Sequence, residues 1–293
     1  MALSPGLSHA RRAVLPSSAC MLCFTYALGD WLSNNHVMAL MWGSLAVLLL
    51  WPFAALPFIP IGLDALALRG FFTVFFTGIS SLFLFGFAPA LIDSWYYGRW
   101  VWPFLQMVLY NAFGASGGGA HLYGIESWTF YPKNLFLNLG FIPLLFLGTI
   151  LFPPPKLTQS RLQVAKYLVA PTLLHFVLFQ SMPHKEERFL FVIYPAFCAG
   201  ASLFLATRLP RLLVYLVLLA SFFLSVSRNI ALARFTAPST VLHNGMAKLI
   251  IDSHDLEMTL CYGREWYRFP SSFFLPPGMR VAFTRSGFRG LLP

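Results

Sequence analysis

The chain has 293 residues, of which 58% are hydrophobic, 17% aromatic and 10% charged, and its mean hydropathy is +0.69. Soluble domains carry roughly 25% charged residues, so a soluble globular enzyme is excluded, and so apolar a chain excludes intrinsic disorder. The net charge of +10 does not indicate a nucleic-acid surface, because the basic residues stand singly between apolar runs.

The predicted elements are membrane spans, read from long uncharged stretches. Residues 13–29 form a weak first span, and 37–63 a second, bent by Pro52, Pro57 and Pro60. Residues 71–92 carry no charge and are long enough to cross a bilayer. The short apolar stretch 101–113 reads as interfacial or re-entrant, and further spans follow at 135–152, 167–182, 189–209 and 212–226. This gives about seven spans. The expected domains are a helix bundle over 1–227, with lumenal loops near 93–134 and 183–188, and a small lumenal C-terminal region over 228–293. Basic residues set the orientation. Arg11, Arg12, Arg69, Lys156, Arg161, Lys166, Arg208 and Arg211 are expected in the cytosol, and Asp30, Asp93, Glu126, Glu186 and Glu187 on the opposite side.

Three polar clusters border these spans. His184-Lys185-Glu186-Glu187-Arg188 opens the span at 189. With Pro183 in a first helical turn, His184 and Arg188 become i,i+4 neighbours, and cations at a helix N-terminus make a phosphate site. An ordinary charged interfacial cap explains the same residues. The loop from Tyr123 through Glu126 to Trp128, beside Gly117-Gly118-Gly119, suits sugar binding, since rings stack on aromatic faces and a carboxylate accepts hydroxyl hydrogen bonds. An aromatic belt at the membrane surface explains it equally. In the tail, Glu265, Trp266 and Arg268 alternate charge with aromatic surface, as a carbohydrate contact or as surface ion pairs. Asp93 lies just outside its span, as a ligand-binding carboxylate or an end-of-helix charge. The histidines show no metal spacing, and Cys20, Cys23, Cys198 and Cys261 make neither a disulfide framework nor a zinc pattern.

The His184–Arg188 run continues as Phe189, with Tyr194-Pro195 beyond it, and resembles the hallmark of the dolichyl-phosphate-mannose-dependent mannosyltransferases. Narrower motifs are Ile92-Asp93-Ser94 with Tyr96-Tyr97-Gly98, Glu265-Trp266-Tyr267-Arg268-Phe269-Pro270, and Phe288-Arg289-Gly290. These are similar to the α-1,2-transferring branch that builds lipid-linked oligosaccharides in the endoplasmic reticulum. The resemblance covers residues 17–293. Ile125, Ser127 and Thr129 depart from it, standing where the family usually carries Thr, Pro and an aromatic residue.

The resemblance implies an all-α, polytopic GT-C-type bundle in the endoplasmic reticulum membrane, working on its lumenal side without a metal or other cofactor. Mannose would pass with inversion from dolichyl-phosphate mannose to a dolichol-linked oligomannose acceptor. It implies donor-phosphate binding by His184, Lys185 and Arg188, and sugar or acceptor binding by Tyr123, Trp128, Glu265, Trp266 and Arg268. Asp93 and Glu126 are then the candidate catalytic carboxylates. It further implies additional N-terminal spans and an acidic first lumenal loop, so this chain is expected to be the later part of such an enzyme. The alternatives are a non-catalytic membrane fragment that binds dolichol-linked lipids, or a GPI-type or α-1,6 transferase of the same group. A transporter is disfavoured, because the charges gather at one face and not at midplane.

Overall fold

A computed structural model describes residues 4–114, 124–154, 162–253, 259–262 and 279–283. The chain divides into two compact units, Met1–Ser225 and Val226–Pro293.

The first unit is helical. It opens with α1 (Pro5–Arg12), α2 (Pro16–Leu32) and α3 (His36–Leu45), and α3 continues as a π turn over Ala46–Leu50. A 3-10 segment, Pro52–Phe58, leads into α4 (Ile59–Arg69). α5 (Phe71–Ser81), a π turn (Leu82–Phe87) and α6 (Ala88–Tyr97) form one long apolar rod, followed by α7 (Pro103–Phe113). Then come α8 (Phe130–Leu139) and α9 (Ile142–Leu151), and a rod whose π turn (Ala165–Val169) leads into α10 (Ala170–Ser181). A second 3-10 segment, Glu187–Ile193, runs into α11 (Tyr194–Arg208). α12 (Arg211–Ser253) runs across the boundary between the units. In the second unit, β1 (Thr259–Tyr262) pairs in parallel with β2 (Arg280–Phe283), Thr259 opposite Arg280.

Among the described residues, five helices are long and apolar enough to cross a membrane, or up to seven if α1–α2 and α8–α9, bent by 102° and 107°, each count as one span. The chain is an all-α, polytopic membrane bundle with this one small strand pair among the described residues. Its irregularities follow the prolines. Each π turn is followed two residues later by Pro52, Pro89 or Pro171. Proline has no N–H and its ring crowds the carbonyl a turn earlier. A widened turn relieves that crowding within an apolar rod.

The expected single span over 37–63 is two passes. Trp51 is extended (φ −151°, ψ 107°) and Pro52 starts a new segment, so the chain reverses there. It returns far enough for Arg69 Nε to donate to His36 Nδ1 at 3.3 Å. This extra pass corrects the orientation of the first helices. Asp30 belongs to the same end as Arg69, which donates to the Asn34 carbonyl at 2.5 Å. α1, with Arg11 and Arg12, belongs to the opposite end, where His9 meets Phe191 edge-on at 6.1 Å.

Two pairings hold the core. α9 and α11 interlock reciprocally, with Phe146 packed onto Gly200 and Phe204 onto Gly148, where an added Cβ would meet ring atoms. Small residues are what allow such close helix approach. At the Arg69 end, Asp64 accepts from Trp31 Nε1 at 2.6 Å and lies 3.1 Å from His36 Nε2 and 2.6 Å from Lys166 Nζ. A lone carboxylate this close to apolar helices would be costly, and three partners offset the cost.

Candidate functional site

At the other end of the first unit lies a cavity of about 350 Å³. Trp51, at the reversal of the chain, is the centre of its apolar wall. Its indole stacks on Phe179 (5.4 Å, 19°) and on Phe189 (5.5 Å, 27°), and Phe53 extends the wall. Offset stacking of this kind makes a rigid surface. The polar lining consists of Ser17 from α2, Asn111 from α7, and His184, Glu186 and Arg188 from the segment between α10 and α11.

That segment is not the helical cap expected from the sequence. Residues 182–184 bend, 185 and 186 are irregular, and the chain enters a 3-10 turn at Glu187, so no α-helical turn stacks His184 on Arg188. Glu186 joins them instead. Its Oε1 lies 3.0 Å from His184 Nε2 and accepts from Arg188 Nη2 at 2.9 Å, and its Oε2 lies 2.5 Å from Arg188 Nε. The other ring nitrogen, His184 Nδ1, is 3.3 Å from the Gly124 carbonyl. Both imidazole nitrogens therefore face oxygens. Burial pushes the Glu186 carboxyl up, but its bonds to Arg188 and His184 outweigh this and hold it below the ordinary carboxylate range. The Arg188 guanidinium and the His184 ring face an aromatic-walled pocket together with this carboxylate. The arrangement suits a singly charged oxyanion carrying apolar or ring-shaped groups.

Of the expected donor-phosphate residues, His184 and Arg188 line this cavity. Lys185 is 6% exposed and donates to the carbonyls of Met182 (2.6 Å) and Glu126 (3.1 Å). It staples the 124–128 loop to the site segment. Two further bonds tighten the staple, from Glu126 N–H to Pro183 O (2.9 Å) and from Gln180 Nε2 to Trp128 O (2.5 Å). The Glu126 and Trp128 side chains are exposed and do not line the cavity. Asp93 is half-buried on α6 and is likewise not in the lining; its neighbour Ser94 hydrogen-bonds both backbone groups of Val101. Tyr123, Glu265, Trp266 and Arg268 lie outside the described residues.

Sequence reasoning did not single out Trp51, Ser17, Asn111 or the central role of Glu186. Trp51-Pro52 was legible as a break, because proline biases the preceding residue toward extended backbone. Glu186 was hidden by the assumption of helical spacing.

The model of the Alg9-like mannosyltransferase family matches residues 1–276. The human protein named alpha-1,2-mannosyltransferase ALG9 is 34% identical over 327 aligned residues, covering 100% of this chain and 53% of the relative. The Saccharomyces cerevisiae protein of that name is 33% identical, covering 99% and 54%, and the Arabidopsis thaliana protein 32%, covering 100% and 54%. The chain thus spans about half the length of the curated relatives it matches. No solved structure matches it.

Proposed function

The chain belongs to the Alg9-like mannosyltransferase family, and from that premise we propose that it holds the mannose donor of an α-1,2-mannosyltransferase. The donor is dolichyl-phosphate mannose and the acceptor a dolichol-linked oligomannose, in N-glycan precursor assembly at the lumenal face of the endoplasmic reticulum membrane. The observation that carries this reading is the His184–Glu186–Arg188 cluster on an aromatic-walled cavity beside the membrane-length helix Glu187–Arg208.

A lipid phosphodiester carries one negative charge, for which the Arg188 guanidinium and the His184 ring offer partners. When the sugar–phosphate bond breaks, a second negative charge grows on the departing phosphate. Arg188 and His184 are placed to stabilise that growing charge, and such differential stabilisation lowers the barrier. The aromatic wall accepts the mannosyl ring or the first isoprene units. Glu186 is engaged by Arg188 and His184, which hold its carboxyl below the ordinary range, and is a poor base. We therefore keep the base role with Glu126 or Asp93, and acceptor contacts with Trp128, Tyr123, Glu265, Trp266 and Arg268.

The test is transfer of labelled mannose from dolichyl-phosphate mannose to the dolichol-linked acceptor, in microsomes lacking their own α-1,2 enzyme. Transfer by the chain and its loss in Arg188→Ala are the expected results. Undiminished transfer by the Arg188→Ala variant overturns the proposal.

A further inference from the structure

We infer that His175 is a positioning residue of the phosphate site, acting through the peptide group of Phe189. This rests on reading the cavity as a phosphate site. His175 is fully buried in α10, one layer behind the aromatic wall. Its ring lies 4.6 Å from that of Phe179 and 6.4 Å from that of Trp51, both of which line the cavity. Its Nε2 is 2.7 Å from the carbonyl oxygen of Phe189. A carbonyl can only accept, so the proton is on Nε2, and the tautomer is fixed by this contact. Nδ1 has no partner.

A phenylalanine would fill this space without burying polar atoms. The histidine instead carries the cost of a desolvated, unpartnered nitrogen. Its one bond goes to the residue directly after Arg188. The Phe189 N–H in turn donates to the Glu186 carbonyl at 3.2 Å, closing the turn that contains both Glu186 and Arg188. Phe189 is thus held at both of its backbone groups, and the His175 imidazole ties the turn presenting the ion pair to α10. A short 3-10 segment has poorer hydrogen-bond geometry than an α-helix. An outside donor is what such a segment needs to keep one conformation, and site residues must be held to a fraction of an ångström.

The experiment compares His175→Phe, His175→Gln and His175→Asn in the full chain reconstituted into lipid nanodiscs. Gln carries a donor at the ε position, as His175 does, whereas Asn carries one a bond shorter. The first readout is affinity for a dolichol-type polyprenyl phosphate against the parent polyprenol. His175→Phe and His175→Asn weaken phosphate binding about tenfold, the equivalent of one lost hydrogen bond, while His175→Gln restores it and polyprenol binding is unmoved. The second readout needs no ligand. Backbone hydrogen exchange over 187–193 accelerates in the Phe variant and recovers in the Gln variant. The inference is overturned if exchange and affinity are unchanged in His175→Phe. It is equally overturned if His175→Gln fails as badly as Phe, because the residue is then only packing. A wild-type chain that does not distinguish the phosphate from the alcohol sinks the proposed function, and the exchange pattern then decides the anchoring alone.

Discussion

Glu186 and Arg188 meet at two points, Nε to Oε2 at 2.5 Å and Nη2 to Oε1 at 2.9 Å. The planar fork of the guanidinium is matched to both carboxylate oxygens, which fixes its plane beside the aromatic wall. Lysine carries one compact ammonium and cannot hold that plane. Arg188→Lys should therefore lose polyprenyl-phosphate binding nearly as fully as Arg188→Ala. Titration of each variant with the lipid phosphate checks this, and near-wild-type affinity in Arg188→Lys would mean that charge alone matters.

Glu186 also sets an acid limit. Its carboxyl is held below its ordinary value of 4.5 by Arg188 and His184, against the upward push of burial. A group with a lowered folded value contributes stability above its unfolded value and loses it as pH falls through the folded one. Thermal unfolding of the detergent-solubilised chain, followed from neutral pH to well below 4.5, should show this loss. Glu186→Gln should lack that component and start from a lower baseline. Parallel curves for the two proteins would refute the linkage.

The Asp64 node is a stability element far from the cavity. Asp64→Ala strands Lys166, His36 and the Trp31 N–H together, at a cost of about 1–3 kcal/mol for half-buried partners left unpaired. Asp64→Asn keeps an acceptor for Trp31 and costs less. In a double-mutant cycle, Lys166→Ala should couple strongly to Asp64→Ala, since the two touch at 2.6 Å. Additive melting shifts would count against the node.

The α9–α11 contact leaves no room for one carbon. Gly200→Ala places a Cβ against Phe146, so the pair must separate, at about 1–3 kcal/mol. Ala at Gly78, where an added Cβ meets nothing, serves as the control. Equal melting temperatures for the two variants would contradict the packing described.

Length and the lack of charge made the long spans legible, from the rod at Phe71 to the helix ending at Arg208. They could not distinguish a bend from a reversal. Pro52, Pro57 and Pro60 suit either, and the contact that decides, Arg69 with His36, joins residues 33 apart in sequence. The orientation of α2 failed with it, because every later side depends on the number of passes before it. At the site, the residue types were legible and their geometry was not. A bend at 182–184 and the irregular residues after it bring together three polar side chains that helical spacing would place otherwise. The signal available for Asp64 was its lone charge beside a long apolar run, which needs a partner.

The three π turns have a consequence for how this chain tolerates insertion and deletion. Each holds one residue more than an ordinary helical turn. Removing one residue from Leu82–Phe87 or Ala165–Val169 therefore restores regular helix without rotating the rest of the rod, whereas Ala46–Leu50 ends at the reversal at Trp51. The same deletion in α11 would swing every later side chain by about 100° and turn Phe204 away from Gly148. Length variation among related sequences thus has two places inside the bundle where it can be absorbed without rebuilding a loop.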